Sequence, residues 1–489
     1  MNNTKPKYPI HLFILFPLLL ILLFFPCRLF SQQWTDPVNV SSIEGLNLDP
    51  DFSIDYSGNI HVVWAHKVEE NFWKLYYSMS SDNGETWSPE YDLIVNTEFW
   101  YGNPHIVCNS INKLFISYEY NLGNPSQTKV YYKEFNGSEW EDPVLISENM
   151  PGSDHSFLTI DADDRIYFFW AYSDNKFYYR YLEEDTLSTI YYPYYTGGPH
   201  FFNKCVSDIN NNLYCIGNSY NPLTSSYSIS HFYYDYINEL WMDPLILSNS
   251  SYWEGNDITL DSQNLPHIAW HEPVTTTPPW HDATFYSYFD GQNWHPKELV
   301  IEDPFNQLIA IDQYNNLHVV NREKNITGWQ IVHYKKINNQ WIGYIIDSST
   351  NFCNPTSLLY SNNRLNLIYY KDFLPGIPDG HIIYSKCDIS TNALLGYLII
   401  DSVVIFPNPS NETFNICFKT LDKSIIRINV FSLQGNLIYW TEKEFSENGN
   451  HRVIWDGKDN RGRRISNGLY LIRLQVGRYT ITRSVELIK

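Results

Sequence analysis

A chain of 489 residues is too long for one ordinary domain and ample for a large core plus a second module. With 43% hydrophobic and 17% aromatic residues, disorder is excluded as a global description. Thirty-three Lys and Arg stand against 54 Asp and Glu, and the resulting net charge of −21 argues against a nucleic-acid binder, which must neutralise phosphates.

Lys5 and Lys7, an apolar run over residues 10–25 and the polar Gln32-Gln33 read together as a Sec signal peptide over residues 1–31. The run is short for a spanning helix, and His11 and Pro17 interrupt it, so a permanent anchor is the weaker reading. Phe24-Phe25-Pro26 lacks the small residues expected before a lipidated Cys27. No later stretch is long and apolar enough to cross a bilayer, so the mature chain is expected to start near Gln32 with no membrane span.

Residues 32–400 carry an internal repeat. One gapless register aligns seven segments on the anchors Trp64, Tyr118, Trp170, Gly217, Trp270, Asn321 and Tyr369. Six positions before each anchor stand Gly58, Asn112, Asp164, Asn211, Asn264, Asn315 and Asn363, residue types that accept a positive φ with least strain. Nine before it, Asp55, Asn109, Asp161, Asp208, Asp261 and Asp312 are placed to bind backbone N–H groups of the same turn. Buried strands follow, as in Ile60-His61-Val62-Val63-Trp64, then a Tyr-rich third strand, and in most copies a Trp opens a fourth: Trp87, Trp140, Trp241, Trp294 and Trp341. Four strands in about fifty residues make a propeller blade.

Gln33 to Ser41 matches Glu139 to Ser147, so the mature N-terminus supplies an extra fourth strand that can close the ring in the last blade. A competing strand at residues 392–400 leaves eight blades as the alternative to seven. His61, His267 and His318 stand three before the anchor, where Phe115, Tyr167 and Tyr214 also occur, so the slot reads as one for a ring.

Ser80-Ser81-Asp82-Asn83-Gly84-Glu85-Thr86-Trp87 fits S-x-D-x-G-x-T-W, and the segment resembles the Asp-box of the BNR-repeat, sialidase-like propellers. The resemblance implies structural roles for Ser80, Asp82, Gly84, Thr86 and Trp87, with Trp87 packed between strands. Cys205 and Cys215 flank a turn that would set them opposite each other on a hairpin, either as a disulfide or as two buried thiols. The cysteines show no zinc spacing, and Asp161-Ala162-Asp163-Asp164 lacks the spacing of an EF-hand, so no metal or cofactor is expected.

From about Asp401 the repeat stops. Pro407-Asn408-Pro409, the run from Val430 to Ile438, the run from Gly449 to Gly462, Asn467 to Leu474 and a terminal Ser484 to Lys489 resemble the type A C-terminal sorting domain of the type IX secretion system of Bacteroidota. That resemblance implies an Ig-like sandwich over 401–489, export to the surface or medium of a Gram-negative cell, and the secretion machinery as a partner. The fold class is therefore all-β, a seven-bladed propeller followed by a small β-sandwich, and a monomer is expected.

In a propeller the loops between second and third strands and between blades share one face, where ligands usually bind. They bring Trp100, Tyr101, Trp253, Trp280 and His271 there, aromatics suited to stacking on sugar faces. The first reading is thus a glycan- or surface-binding propeller. The alternative is a carbohydrate-active enzyme: a lyase with His105, His155 or His200 as base and Arg322 against a uronate, or a glycosidase using two of Glu119, Asp257, Glu272 and Glu323. Sialidase is disfavoured, because the chain has no R-I-P motif and its propeller holds only Arg165, Arg180, Arg322 and Arg364. Residues 32–400 hold 17 basic and 45 acidic residues, a net −28, which disfavours polyanionic glycans relative to neutral ones.

Overall fold

The computed structural model describes residues 34–69, 72–94, 100–121, 125–172, 176–193, 200–221, 226–251, 255–274, 281–337, 340–372, 380–389, 403–420, 424–445, 449–476 and 479–488. The expected signal peptide and the competing strand at 392–400 lie outside them. Two units are present, one spanning Trp34–Ile389 and the other within Ser390–Lys489. The described residues are all-β apart from a short 3-10 turn at Pro125–Gln127, and none of their helices is long and apolar enough to cross a membrane.

Among the described residues the first unit contains seven antiparallel sheets. In the first, Leu46–Ile54, Ile60–Glu69, Phe72–Ser80 and Tyr91–Asp92 pair in chain order. Five more repeat that order, the fourth adding Leu245–Ser251 against its third strand. Their first strands, Leu46–Ile54, Trp100–Cys108, Asp154–Ile160, His200–Ser207, Asn256–Leu260, Pro304–Ile311 and Cys353–Ser361, contact one another in sequence, and the last returns to the first. The result is a closed, propeller-like ring.

Local chemistry explains the repetition. Every residue six before an anchor lies in the left-handed region, from φ 59° at Asn315 to 87° at Gly58. The aspartates nine before it accept from the N–H groups two and four residues on: Asp55 from Ser57 (2.9 Å) and Asn59 (2.8 Å), Asp312 from Tyr314 and Asn316 (both 2.9 Å). The slot three before the anchor does more than hold a ring. His61 and His318 each place Nε2 3.3 Å from the turn aspartate, tying the second strand back to its own turn. Anchors such as Trp64, Trp170, Trp270 and Tyr369 are wholly buried.

The repeated Trp packs between sheets, where a position between strands was expected. Trp87 meets Tyr384, Trp140 meets Tyr77, Trp241 meets Tyr179, Trp294 meets His231 and Trp341 meets Tyr286, each an aromatic of the preceding sheet. Only Trp241 and Trp341 sit inside a fourth strand. The others lie in the turn before it, which leaves the indole free to reach sideways.

The ring closes as the N-terminal match predicts. Val38 and Asn39 pair with Tyr384 and Ile383, completing the seventh sheet from the opposite end of the unit. Thr35 N donates to Lys386 O at 2.8 Å, and Trp34 Nε1 donates to Nδ1 of the buried His333 at 3.3 Å. Because an indole only donates, His333 must carry its proton on Nε2 and donate to His318 Nδ1 (2.9 Å), whose Nε2–H then points at Asp312.

The second unit pairs a three-stranded sheet (Val404–Phe406, Phe414–Thr420, Gly449–Trp455) with a four-stranded one (Leu437–Phe445, Ser424–Ser432, Gly468–Val476, Tyr479–Leu487). Phe414, Ile416 and Trp455 of one sheet and Ile428, Val430 and Ile472 of the other share a single core. Asn408 bonds Glu486 N (2.9 Å) and Ser484 O (3.0 Å), fastening the Pro-Asn-Pro opening to the last strand.

Candidate functional site

The first strands of all seven sheets line one cavity of about 520 Å³ on the ring axis. Each runs toward its turn at one face, so its N-terminal end lies at the other. Near that end six of the seven strands break register, at Asp49-Pro50, Asn103-Pro104, His155-Ser156, Asn203, Asn306 and Thr356. β-Bulges of this kind re-aim side chains at barrel rims. Fifteen positions before the anchors, Asp49, Asn103, His155, Gly255 and Asn306 have φ between 47° and 79°, a second ring of left-handed residues that the sequence reading did not pick out. The sequence signal was present: this column is Asp, Asn, His, Gly and Asn in those copies.

The bulges let polar side chains stitch neighbouring sheets. Asn103 Nδ2 donates to Glu119 Oε1 and to Ser156 O, both at 3.0 Å, and Asn306 Nδ2 donates to Pro355 O at 2.9 Å. Asp51 Oδ2 accepts from Ile106 N (3.1 Å), and Asp257 Oδ2 accepts from Ile309 N (2.9 Å). Two side-chain pairs face the cavity, His105 Nδ1 with Asp51 at 3.4 Å and Lys204 Nζ with Asp257 at 2.6 Å. Burial works to raise the Asp51 carboxyl, but His105, the Ile106 N–H and Ser357 together hold it below its ordinary value.

The candidates from sequence separate here. Of the catalytic candidates, the cavity is lined by His105, and Asp257 joins it from the carboxylate set. Glu119 is buried under Asn103 and Ser156 N, and burial raises its carboxyl. Glu272 accepts from Trp270 Nε1 at 2.9 Å, from Ser248 Oγ and from Lys297 Nζ. Glu323 accepts from Tyr334 Oη and Gln330 Nε2. Each of these carboxylates is thus committed to partners of its own, Asp257 to Lys204 and Ile309 N.

Arg322, expected as a clamp, has its guanidinium 4.5–5.2 Å from the ring centres of Phe305, Trp329 and Phe352 and donates to Asn354 at 2.9 Å, so it packs the sixth sheet against the seventh. His155, half exposed, sits 3.1 Å from Asp154. His271 is buried 3.8 Å from Asp282 and does not offer an open stacking surface. Trp253 and Trp280 lie outside the described residues, and Trp100, Tyr101 and His200 fall within the strands Trp100–Cys108 and His200–Ser207.

At the Asp82 hairpin, Asp82 accepts from Thr86 N (2.9 Å) and Thr86 Oγ1 (2.6 Å), while Ser80 Oγ donates to Asp82 and accepts from Gly84 N, both at 2.8 Å. The Thr86 hydroxyl, first among several donors, holds the Asp82 carboxyl down to about 2. Gly84 (φ 83°) abuts the Tyr384 ring so closely that an added Cβ would lie 2.1 Å from it. Cys205 and Cys215 are directly paired across their strands and disulfide-bonded. No group of three or more His, Cys, Asp or Glu among the described residues is arranged to hold a metal.

Residues 404–488 match the family described as "Secretion system C-terminal sorting domain". The second unit is a sorting domain. It marks the chain for secretion through the type IX system, to the cell surface or beyond. No curated protein matches the chain in sequence. Among solved structures, a polysaccharide lyase of a new family, an ulvan lyase bound to -[GlcA(1-4)Rha3S]-, is similar at 10% identity and TM-score 0.53, covering 71% of this chain and 95% of its own. A protein of unknown function from Dyadobacter fermentans is 12% identical at TM-score 0.46, over 73% and 99% of the two chains. An α-L-arabinanase from Penicillium chrysogenum is 10% identical at TM-score 0.43, over 72% and 98%. At these identities the likeness is one of fold.

Proposed function

We propose that this chain is an exported carbohydrate-binding protein, a seven-bladed β-propeller whose ligand enters the axial cavity from the face opposite the tight turns, joined to an Ig-like sorting domain. The observation that carries the reading is the cavity itself, which the first strands, six of them bulged, line with amides, hydroxyls and two carboxylates with their partners. Concave sites with a few convergent polar groups are where small ligands bind, and hydroxyl-rich ligands match amide and carboxylate walls. The Asp82 hairpin, with the donors of an Asp-box, is part of the scaffold in this reading.

The test is a glycan array probed with the exported protein and with Lys204→Met and His105→Ala. Binding that falls roughly tenfold or more in either variant supports the assignment, since hydrogen bonds to charged groups contribute about 1.5–3 kcal/mol. Binding unchanged in both would overturn the site.

A second reading is eliminative cleavage. It is favoured by one arrangement: His105 beside Asp51 offers a base and Lys204 a cation within the same cavity, and the fold is similar to a protein described as an ulvan lyase. Incubation with uronate polysaccharides and a rising absorbance near ~235 nm would establish it. A flat trace with substrates that the array shows to be bound would dismiss it.

A further inference from the structure

The wall of the cavity between the fifth and sixth sheets contains a polar group left without a hydrogen-bond partner among the described residues. Gln307 is 1% exposed, and neither its Oε1 nor its Nε2 has a hydrogen-bond partner among the described residues. Its amide lies over Gly255, where a Cβ would come within 3.3 Å of Nε2 and 3.5 Å of Oε1, so the glycine leaves space at the amide that any other residue would fill. Gly255 holds φ 79°, which keeps that choice of residue favourable. Beside it, Asn256 spends Nδ2 on Asn203 (3.3 Å) and Asn218 (2.9 Å), while its buried Oδ1 accepts nothing among the described residues. Both amide atoms of Gln307 and Oδ1 of Asn256 thus stand open on residues that line the cavity.

A buried amide with both ends open costs about 1–3 kcal/mol for each unmade bond. Nothing in the packing requires an amide at this position, since a Leu or Met would fill the same volume. Buried polar groups left open in this way point to a partner that arrives from outside.

The charges nearby define that partner. Lys204 is held by Asp257 at 2.6 Å, so its charge is already neutralised by a carboxylate, and His105 is engaged by Asp51 at 3.4 Å. A carboxylate or sulfate on the ligand would compete with an aspartate for its partner in one of these pairs, whereas a hydroxyl can bond the open amide atoms and the paired groups without separating them. The net charge of −28 over residues 32–400 acts in the same direction at longer range.

Resting on the carbohydrate reading above, we infer that Gln307, with Asn256 Oδ1 and the gap at Gly255, forms a subsite for the vicinal hydroxyls of a neutral sugar. One hydroxyl donates to Gln307 Oε1, and its vicinal neighbour accepts from Gln307 Nε2 and donates to Asn256 Oδ1.

The experiment is calorimetric titration of the full-length exported protein with neutral oligosaccharides of glucose, mannose, galactose and xylose, and with uronic-acid and sulfated oligosaccharides of matched length. The same titrations are run on Gln307→Leu and Gln307→Met. Binding of a neutral oligosaccharide by the parent, lost roughly tenfold or more in both variants while their melting temperatures stay equal or rise by about 2 °C, is the expected result. The rise is the signature that a structural glutamine would not give, because removing a paired amide lowers stability. Preference for the uronic-acid or sulfated series overturns this subsite while leaving carbohydrate binding intact. So does neutral-sugar binding unchanged in a folded variant, or a melting temperature lowered in both. No binding to any oligosaccharide overturns the carbohydrate reading and the subsite together.

Discussion

Asn264 and its counterparts show how a single backbone angle recurs as a sequence column. An Ala in the left-handed region costs about 1–2 kcal/mol, which Asn reduces and Gly avoids. Asn264→Ala (φ 62°) is therefore expected to lose about 1 kcal/mol in urea unfolding, and Asn264→Gly close to nothing. Gly84→Ala should be costlier, about 2–3 kcal/mol, because strain at φ 83° adds to the collision with Tyr384, and a melting curve checks it. These positions were legible in the sequence because each is decided within its own turn by at most five neighbouring residues. Gln307, Asn256 and the Asp51–Ile106 bond were not, because the residues they face lie on neighbouring sheets whose aligned positions are some fifty residues away. The column containing Asp49, Asn103, Gly255 and Asn306 carried a readable hint in its tolerance for positive φ, masked by His155 and Phe202 in the same register.

At the level of elements, the repeated Trp is the lateral joint of the ring. Its presence was plain from sequence, but its direction depended on the turn before the fourth strand, whose geometry no periodicity reports. Trp241→Ala removes the ring that meets Phe169, Tyr179 and Tyr234, and about 3 kcal/mol of stability should go with it, measurable as a lower denaturant midpoint with the slope preserved. The N-terminal strand is the other joint. Deleting residues 34–40 uncovers the edge of His381–Asp388, and the expected outcome is a lower melting temperature with concentration-dependent association in light scattering, since an open edge recruits other strands.

For the molecule as a whole, buried histidines set the response to acid. Burial lowers His333 well below 6.5, with His318 and Lys335 adding to it. Burial also lowers His318, partly opposed by Asp312, while Lys335 beside them is itself pushed down by burial. His231, against Trp294, is pushed to about 3 by burial. Each stays neutral in the fold and would accept a proton near 6.5 when unfolded. The contribution of the histidines is thus fully present above about pH 6.5 and declines as pH falls, by up to about 1.4 kcal/mol per unit for His231 and for His333. The chain from Trp34 through His333 and His318 to Asp312 has no place for another proton, so the closure of the ring is what acid loosens. Urea midpoints should be level from pH 7 to 8 and fall below about 6.5, and His231→Phe should flatten that fall by about 1.4 kcal/mol per unit.

That closure joins Lys386 to Thr35 across 351 residues. A ring whose first strand completes its last sheet has no end at which a copy can be added or dropped. Removing one repeat would leave the opening strand a full sheet away from the place it must occupy, and adding one would overshoot it. The repeat number is therefore fixed by geometry in a way that a stack of repeats, open at both ends, never is. It also orders assembly in time: six sheets can form as the chain emerges, but the seventh waits for the last strand, and only then does the first segment of the unit find its place.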